Sequence, residues 1–315
     1  MKILLTGCAG FIGSHVSEAL LKRGDSVVGV DNINDYYDTK KKEKNLEILK
    51  KNKNFIFYKE DIRNYEGLKE IFDKEKPDKV VHIAARAGVR PSIQNPLLYE
   101  EVNVKGTLNL LDLAKDHKIK SFVFASSSSV YGNRKKIPFS ETDNVDNPIS
   151  PYAATKKAGE LICYTYHHLY NMKITCLRFF TVYGPRGRPD MAPYLFTDWI
   201  YNGKPIKRFG DGSTKRDYTF ITDIVKGVVA SIDKELDFEI INLGNNKPVM
   251  LNDFIKTIEK VTGKKAVIKE LPMQPGDVDI TYADVSKAEK LLGFKPTTSI
   301  EEGMKKFFEW YKKNV

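Results

Sequence analysis

Short apolar runs alternate along the chain with longer stretches in which apolar residues recur every three or four positions. That is the pattern of buried strands joined by amphipathic helices. Ile3, Leu4 and Leu5 form the first run, which breaks at Thr6-Gly7-Cys8-Ala9-Gly10-Phe11-Ile12-Gly13. Val16, Ala19 and Leu20 then fall at helical spacing, so strand, glycine turn and helix are predicted in that order. Buried strands are predicted again at 26–30, 55–58, 79–85, 121–125 and 172–180, and 238–243 is expected to rejoin the same parallel sheet. A lysine-rich helix runs through Leu46, Ile48 and Leu49, and a long helix starts at Asn95-Pro96 with Val102, Leu108, Leu111 and Leu113 among its apolar positions. Another is predicted from Tyr152 to about Tyr170.

The glycine turn carries the first candidate chemistry. Gly7 allows a tight turn, Gly10 lets backbone approach a pyrophosphate, and Gly13 lets helix pack closely on strand, while the free N–H groups of the helix start face the phosphates. Phe11 and Ile12 lie within that turn. The next strand, Ser26-Val27-Val28-Gly29-Val30, ends at Asp31, where a carboxylate can accept hydrogen bonds from a ribose 2′-hydroxyl; such a carboxylate favours NAD over NADP. Asp31 capping the following turn is the competing reading. The fold class expected is α/β, a Rossmann-type doubly wound parallel sheet with a smaller C-terminal α/β substrate domain. Residues 1–181 with about 222–245 are assigned to the cofactor domain, and 182–221 with about 246–315 to the substrate domain.

Composition narrows the function classes only a little. The 315 residues carry 41% hydrophobic and 29% charged side chains, ordinary for a globular protein. No stretch reads as a membrane span or signal peptide, so a cytoplasmic location and no membrane association are expected. Cys8, Cys163 and Cys176 are odd in number and lack metal-ligand spacing, so neither a disulfide framework nor a metal site is expected. The net charge of +10 permits nucleic acid or small anionic ligands. Much of the excess sits in Lys40-Lys41-Lys42-Glu43-Lys44 and Lys50-Lys51-Asn52-Lys53, read as solvated faces, so no nucleic-acid partner is expected.

Tyr152 and Lys156 stand four apart on one helix face, a common spacing that acquires meaning only from its setting. The strand at 121–125 delivers Ser126-Ser127-Ser128-Ser129, and four hydroxyls at a strand end need polar partners, so they are expected to line a cavity. His82 in Lys79-Val80-Val81-His82 is read as a buried strand histidine. Arg86 and Arg90, in the loop after that strand, suit either an anionic ligand or solvent.

The two-residue spacing between successive glycines, with Tyr152, Lys156 and the serines, resembles the extended short-chain dehydrogenase/reductase superfamily over essentially the whole chain. That resemblance implies Tyr152, Lys156 and Ser127 as the catalytic set. It also implies Asn32, Asp61, Ile62, Ala84, Ala85, Asn103 and Ser126 as cofactor-side residues; Asp61 is alternatively a helix cap, and Asn103 a core bracket. A dehydratase of the superfamily would carry an Asp-Glu pair where Ser128 and Ser129 stand. Arg178-Phe179-Phe180-Thr181-Val182-Tyr183-Gly184-Pro185-Arg186-Gly187-Arg188-Pro189-Asp190-Met191-Ala192 resembles the corresponding segment of UDP-glucuronate 4-epimerases, whereas UDP-galactose 4-epimerases carry asparagine at the place of Thr181. Thr181 and Arg188 suit a uronate carboxylate; Arg188 fixing its own loop is the alternative. Arg90, Ser128, Ser129, Arg216, Gln274 and Asp277 complete the implied UDP-sugar contacts, with glutamine at 274 fitting the uronate subset. The expected activity is NAD-dependent interconversion of UDP-glucuronate and UDP-galacturonate, in a homodimer joined through helices 97–117 and 152–170. A UDP-glucose or UDP-N-acetylhexosamine 4-epimerase, a UDP-glucuronate decarboxylase and a non-catalytic NAD-sensing or RNA-binding module are the rivals.

Overall fold

The seven apolar runs become β1 (Lys2–Thr6), β2 (Ser26–Val30), β3 (Phe55–Tyr58), β4 (Lys79–His82), β5 (Ser121–Ser127), β6 (Ile174–Phe179) and β7 (Phe238–Leu243) in the computed structural model, which describes residues 1–273 and 278–315. All pair in parallel, in the order β7-β6-β5-β4-β1-β2-β3. Successive side chains point to opposite faces of the sheet, and both faces are covered. Ile3, Leu5, Val123 and Ala125 enter one apolar core, while Leu4, Phe122 and Phe124 enter the other. This is the doubly wound sheet expected from the pattern.

Helix α1 (Phe11–Arg23) follows the glycine turn and packs against the helix Ile221–Lys234 on one face. The long helix expected from Asn95 is built in sections, Pro96–Glu100, a wider π-type turn Glu101–Lys105, and α2 (Gly106–Asp116). It lies on the opposite face with α3 (Pro151–Tyr170), whose first turn is capped by the Ser150 hydroxyl accepting from the Ala153 N–H.

The last strand, β7, joins the sheet only after the chain has built part of a second layer. There, Thr181–Tyr183, Lys215–Phe220 and Pro248–Met250 form a three-stranded sheet, and Ile206–Phe209 pairs with Ile268–Leu271. Asp217, fully buried, ties this layer to the main sheet by accepting from the N–H groups of Asn245 (2.6 Å), Asn246 (3.0 Å) and Ala283 (3.0 Å). Both layers face one cavity of about 450 Å³ at the C-terminal ends of the strands, the place where ligands of open α/β sheets bind.

Candidate active site

At the glycine end, Gly7 sits at φ +75°, and a Cβ on Gly13 would come within 2.0 Å of the Gly7 carbonyl oxygen. Turn and helix therefore close on each other only with glycine at 13. Gly7, Gly10, Phe11, Ile12 and Gly13 all line the cavity. Asp31, at the end of β2, lines it too, and its carboxylate accepts from the N–H groups of Ala9 (3.1 Å) and Ile33 (2.9 Å). It braces the glycine turn and the next loop, as the turn-capping reading expects, and it does so from the cavity wall.

Asn32 donates to Asp61 (2.8 Å), and the Arg63 guanidinium beside Asp61 holds that carboxyl down to about 2. The helix cap after β3 is Asn64, which accepts from Gly67, and not Asp61. Asn32, Asp61, Ile62, Ala84, Ala85 and Ser126 line the cavity. Asn103 stands behind the wall as a bracket: its amide accepts from the Arg86 N–H (2.7 Å) and donates to the Arg86 carbonyl (3.0 Å) and the Thr155 hydroxyl (3.0 Å). Lys42 corrects the solvated-face reading. It is buried at the cavity wall, with Nζ 3.2 Å from Asn34 Oδ1 and 3.8 Å from Asp31.

Beyond this end, β5 delivers the serines and α3 delivers Tyr152 and Lys156, all of them at the cavity. The Ser127 Oγ accepts from the Ser129 N–H (3.2 Å) and hydroxyl (3.0 Å), which fixes it at the strand end. Burial pushes the Tyr152 phenol up; a hydrogen bond with Ser127 and the charge of Arg188 pull the other way. Lys156 Nζ donates to the Ala125 carbonyl (2.7 Å), and burial lowers its pKa to about 8. Beneath them Glu160 accepts from Ser126 (2.6 Å) and pairs with buried Arg178 through two 2.8 Å bonds, joining α3, β5 and β6. His82 is buried between the hydroxyls of Thr6 (2.8 Å) and Thr107 (3.0 Å), and burial lowers it to about 3, so it stays neutral as expected of a strand histidine.

At the far end Thr181, Arg188 and Arg216 line the cavity with Ser127, Ser128 and Ser129. Arg90 does not; its guanidinium lies over the Phe209 ring, 5.0 Å from the centroid, on the exposed side of the loop. Gln274 and Asp277 fall outside the described residues. Arg188 already has a carboxylate partner, Asp190, held through Nε (3.0 Å) and Nη2 (2.5 Å), so it does fix its own loop. Sequence reasoning missed Tyr36, Tyr37 and Lys42 in the wall. The one available signal was the aromatic pair Tyr36-Tyr37 in an otherwise polar loop just after Asp31.

Known proteins match this arrangement over the full chain. The model of the family described as GDP-mannose 4,6 dehydratase matches residues 4–307. A UDP-glucuronate 4-epimerase of Thermodesulfobacterium geofontis is 53% identical over 313 residues, covering 99% of this chain and 96% of that one. The solved UDP-glucuronic acid 4-epimerase from Bacillus cereus, in complex with UDP-glucuronic acid and NAD, superposes with a TM-score of 0.95 at 39% identity and 100% coverage of both chains. The UDP-glucose 4-epimerase of Thermotoga maritima with UDP-glucose gives 0.91 at 35% identity and 99% coverage of both. With its glycine turn, serine-bearing strand end and Tyr152 and Lys156 on one helix, the chain belongs to the extended short-chain dehydrogenase/reductase family of nucleotide-sugar epimerases and dehydratases.

Proposed function

We propose that this protein is an NAD-dependent UDP-glucuronate 4-epimerase that interconverts UDP-glucuronate and UDP-galacturonate. The observation that carries the reading is a single cavity in which the glycine turn, the Ser127–Tyr152 pair, and Thr181 with Arg188 are brought together. Full-length likeness to epimerases with UDP-glucuronic acid and NAD supports it. Ser128 and Ser129 flank Ser127 with hydroxyls, and a dehydratase would need carboxylates there to expel water.

The residues fit NAD. Gly7, Gly10 and Gly13 present backbone without side chains to the cavity, the Gly7–Gly13 contact closes the helix start against the turn, and Asp31 stands at the end of β2. Gly7, Gly10, Phe11, Ile12, Gly13, Asp31, Asp61 and Ile62 would hold the dinucleotide. When bound, it supplies the hydride acceptor and donor for C4 of the sugar and a positive charge near Tyr152. Tyr152, as phenolate, takes the 4-hydroxyl proton and later returns one. Ser127 hydrogen-bonds the same oxygen. Lys156, anchored on the Ala125 carbonyl one turn along α3 from Tyr152, is the cation that would favour the phenolate while it is charged. Thr181 and Arg188 hold the carboxylate while the 4-keto sugar presents its other face. They must also keep the C5–C6 bond near the plane of the C4 carbonyl, since a β-keto acid loses carbon dioxide when that bond overlaps the π system.

Arg216 faces the diphosphate in this reading. The cofactor and substrate layers, 1–181 with about 222–245 and 182–221 with about 246–315, act as the two walls of the site. The exposed apolar residues of α2 and α3 are the surface of a homodimer, and the site of action is the cytoplasm. Incubation with UDP-glucuronate, following UDP-galacturonate and carbon dioxide together, tests the reading. Epimer without gas supports it, and gas as the main product supports a decarboxylase instead.

A further inference from the structure

Arg188 is held from two directions. Asp190 grips its Nε and Nη2, and the Tyr36 hydroxyl accepts from the same Nη2 at 3.2 Å. Nη1 donates to no described residue, and Arg188 lines the cavity. One edge of the guanidinium fork is therefore occupied and the other is available, which fixes its plane and direction.

Tyr36 comes from the loop after β2, on the cofactor side, and reaches 152 positions along the chain to touch Arg188. Its ring lies under two guanidiniums, Arg86 at 4.6 Å and Arg188 at 5.2 Å from the centroid. Gly88 makes room for it: at φ +104°, a Cβ there would stand 2.6 Å from the Tyr36 hydroxyl oxygen. The neighbouring Tyr99, whose hydroxyl donates to the Ala87 carbonyl (2.6 Å), meets Tyr152 edge to face with centroids 6.2 Å apart. A built set of contacts thus runs from the Arg188 fork to the face of Tyr152.

We propose that Tyr36 and Asp190 are positioning residues that hold the Arg188 guanidinium with its Nη1 edge toward the sugar's C6 carboxylate, and that this clamp decides whether the 4-keto sugar is re-reduced or loses carbon dioxide. The proposal rests on the epimerase reading and deepens it. In the side reaction the C5–C6 bond breaks and carbon dioxide leaves. The bonding pair enters the C4 carbonyl as an enolate, which takes a proton at C5 to give UDP-4-keto-pentose. The hydride already removed from C4 stays behind, so each such event ends a turnover. A fork held at one angle keeps the breaking bond out of overlap; a loosened fork lets it rotate in.

The test compares wild type with Asp190→Asn, Tyr36→Phe and Gly88→Ala, each checked for thermal unfolding and bound cofactor. The readout is the ratio of carbon dioxide to UDP-galacturonate, which does not depend on how much of a variant is folded. Calorimetric affinity for UDP-glucuronate and UDP-glucose is measured beside it. The expected result is a ratio raised about tenfold in Asp190→Asn and less in Tyr36→Phe, with UDP-glucuronate affinity weakened and UDP-glucose affinity unchanged. Gly88→Ala, which displaces Tyr36 without altering it, should move the ratio in the same direction. A wild-type ratio in all three variants of an enzyme that epimerises UDP-glucuronate overturns the clamp alone. A wild type that does not epimerise UDP-glucuronate overturns the epimerase reading and the clamp with it.

Discussion

Tyr152 illustrates how much a single side chain depends on its immediate neighbours. Burial alone would keep the phenol protonated well above its ordinary range, and Ser127 and Arg188 act against burial. Lys156 sits in the same helix, where its ammonium donates to the Ala125 carbonyl and burial has lowered its own pKa to about 8. The balance makes Ser127→Ala a specific prediction. Loss of its hydrogen bond should shift the alkaline activation of kcat/KM to higher pH by about one unit and lower the neutral-pH rate about tenfold. A pH-rate profile checks it. Tyr36 left only the signal of an aromatic pair in a polar loop, and the places of Lys42 and Asp190 were not legible in the sequence. Tyr36 meets Arg188 from 152 positions away, and no local pattern records such a meeting.

Elements were more legible. β1, the glycine turn and α1 follow from residues adjacent in sequence, because buried strands and helix starts are local patterns. The π-type turn at Glu101–Lys105 was not visible, since it interrupts a helix whose apolar spacing continues on both sides. Gly13→Ala should abolish cofactor retention, because the added Cβ meets the Gly7 carbonyl oxygen at 2.0 Å. Gel filtration followed by measurement of bound NAD shows this directly. Asp217 sets a second prediction at this scale. Burial raises it from 3.8 to about 6 against the pull of its three backbone donors. The folded chain therefore holds a proton that the unfolded chain releases, and stability from this group, complete below about pH 4, is lost by about 3 kcal/mol as pH rises through 6. Asp217→Asn removes that slope. Denaturant titrations at pH 4.5 and pH 7 should show the wild-type minus variant difference shrinking at the higher pH.

For the molecule as a whole, the parallel sheet and the return of residues 238–243 to it were readable, whereas the pairing of Thr181–Tyr183 with Lys215–Phe220 was not, because short strands of a second layer carry little pattern of their own. The face formed by α2 and α3 leaves Leu161 56% and Leu169 59% exposed, beside Leu97 at 75%. Apolar side chains grouped in this way suit a subunit interface. Leu161→Glu with Leu169→Glu should convert a dimer to a monomer in light scattering; an unchanged mass would place the interface elsewhere. The central claim concerns one cavity performing C4 epimerisation on a charged sugar. It is tested most directly by giving the purified protein UDP-glucuronate and following UDP-galacturonate and carbon dioxide in the same reaction, with Tyr152→Phe alongside. The account predicts UDP-galacturonate with little gas, and a rate in Tyr152→Phe lower by about a thousandfold. Carbon dioxide as the main product, or epimer formed equally fast by the Tyr152→Phe protein, would contradict it.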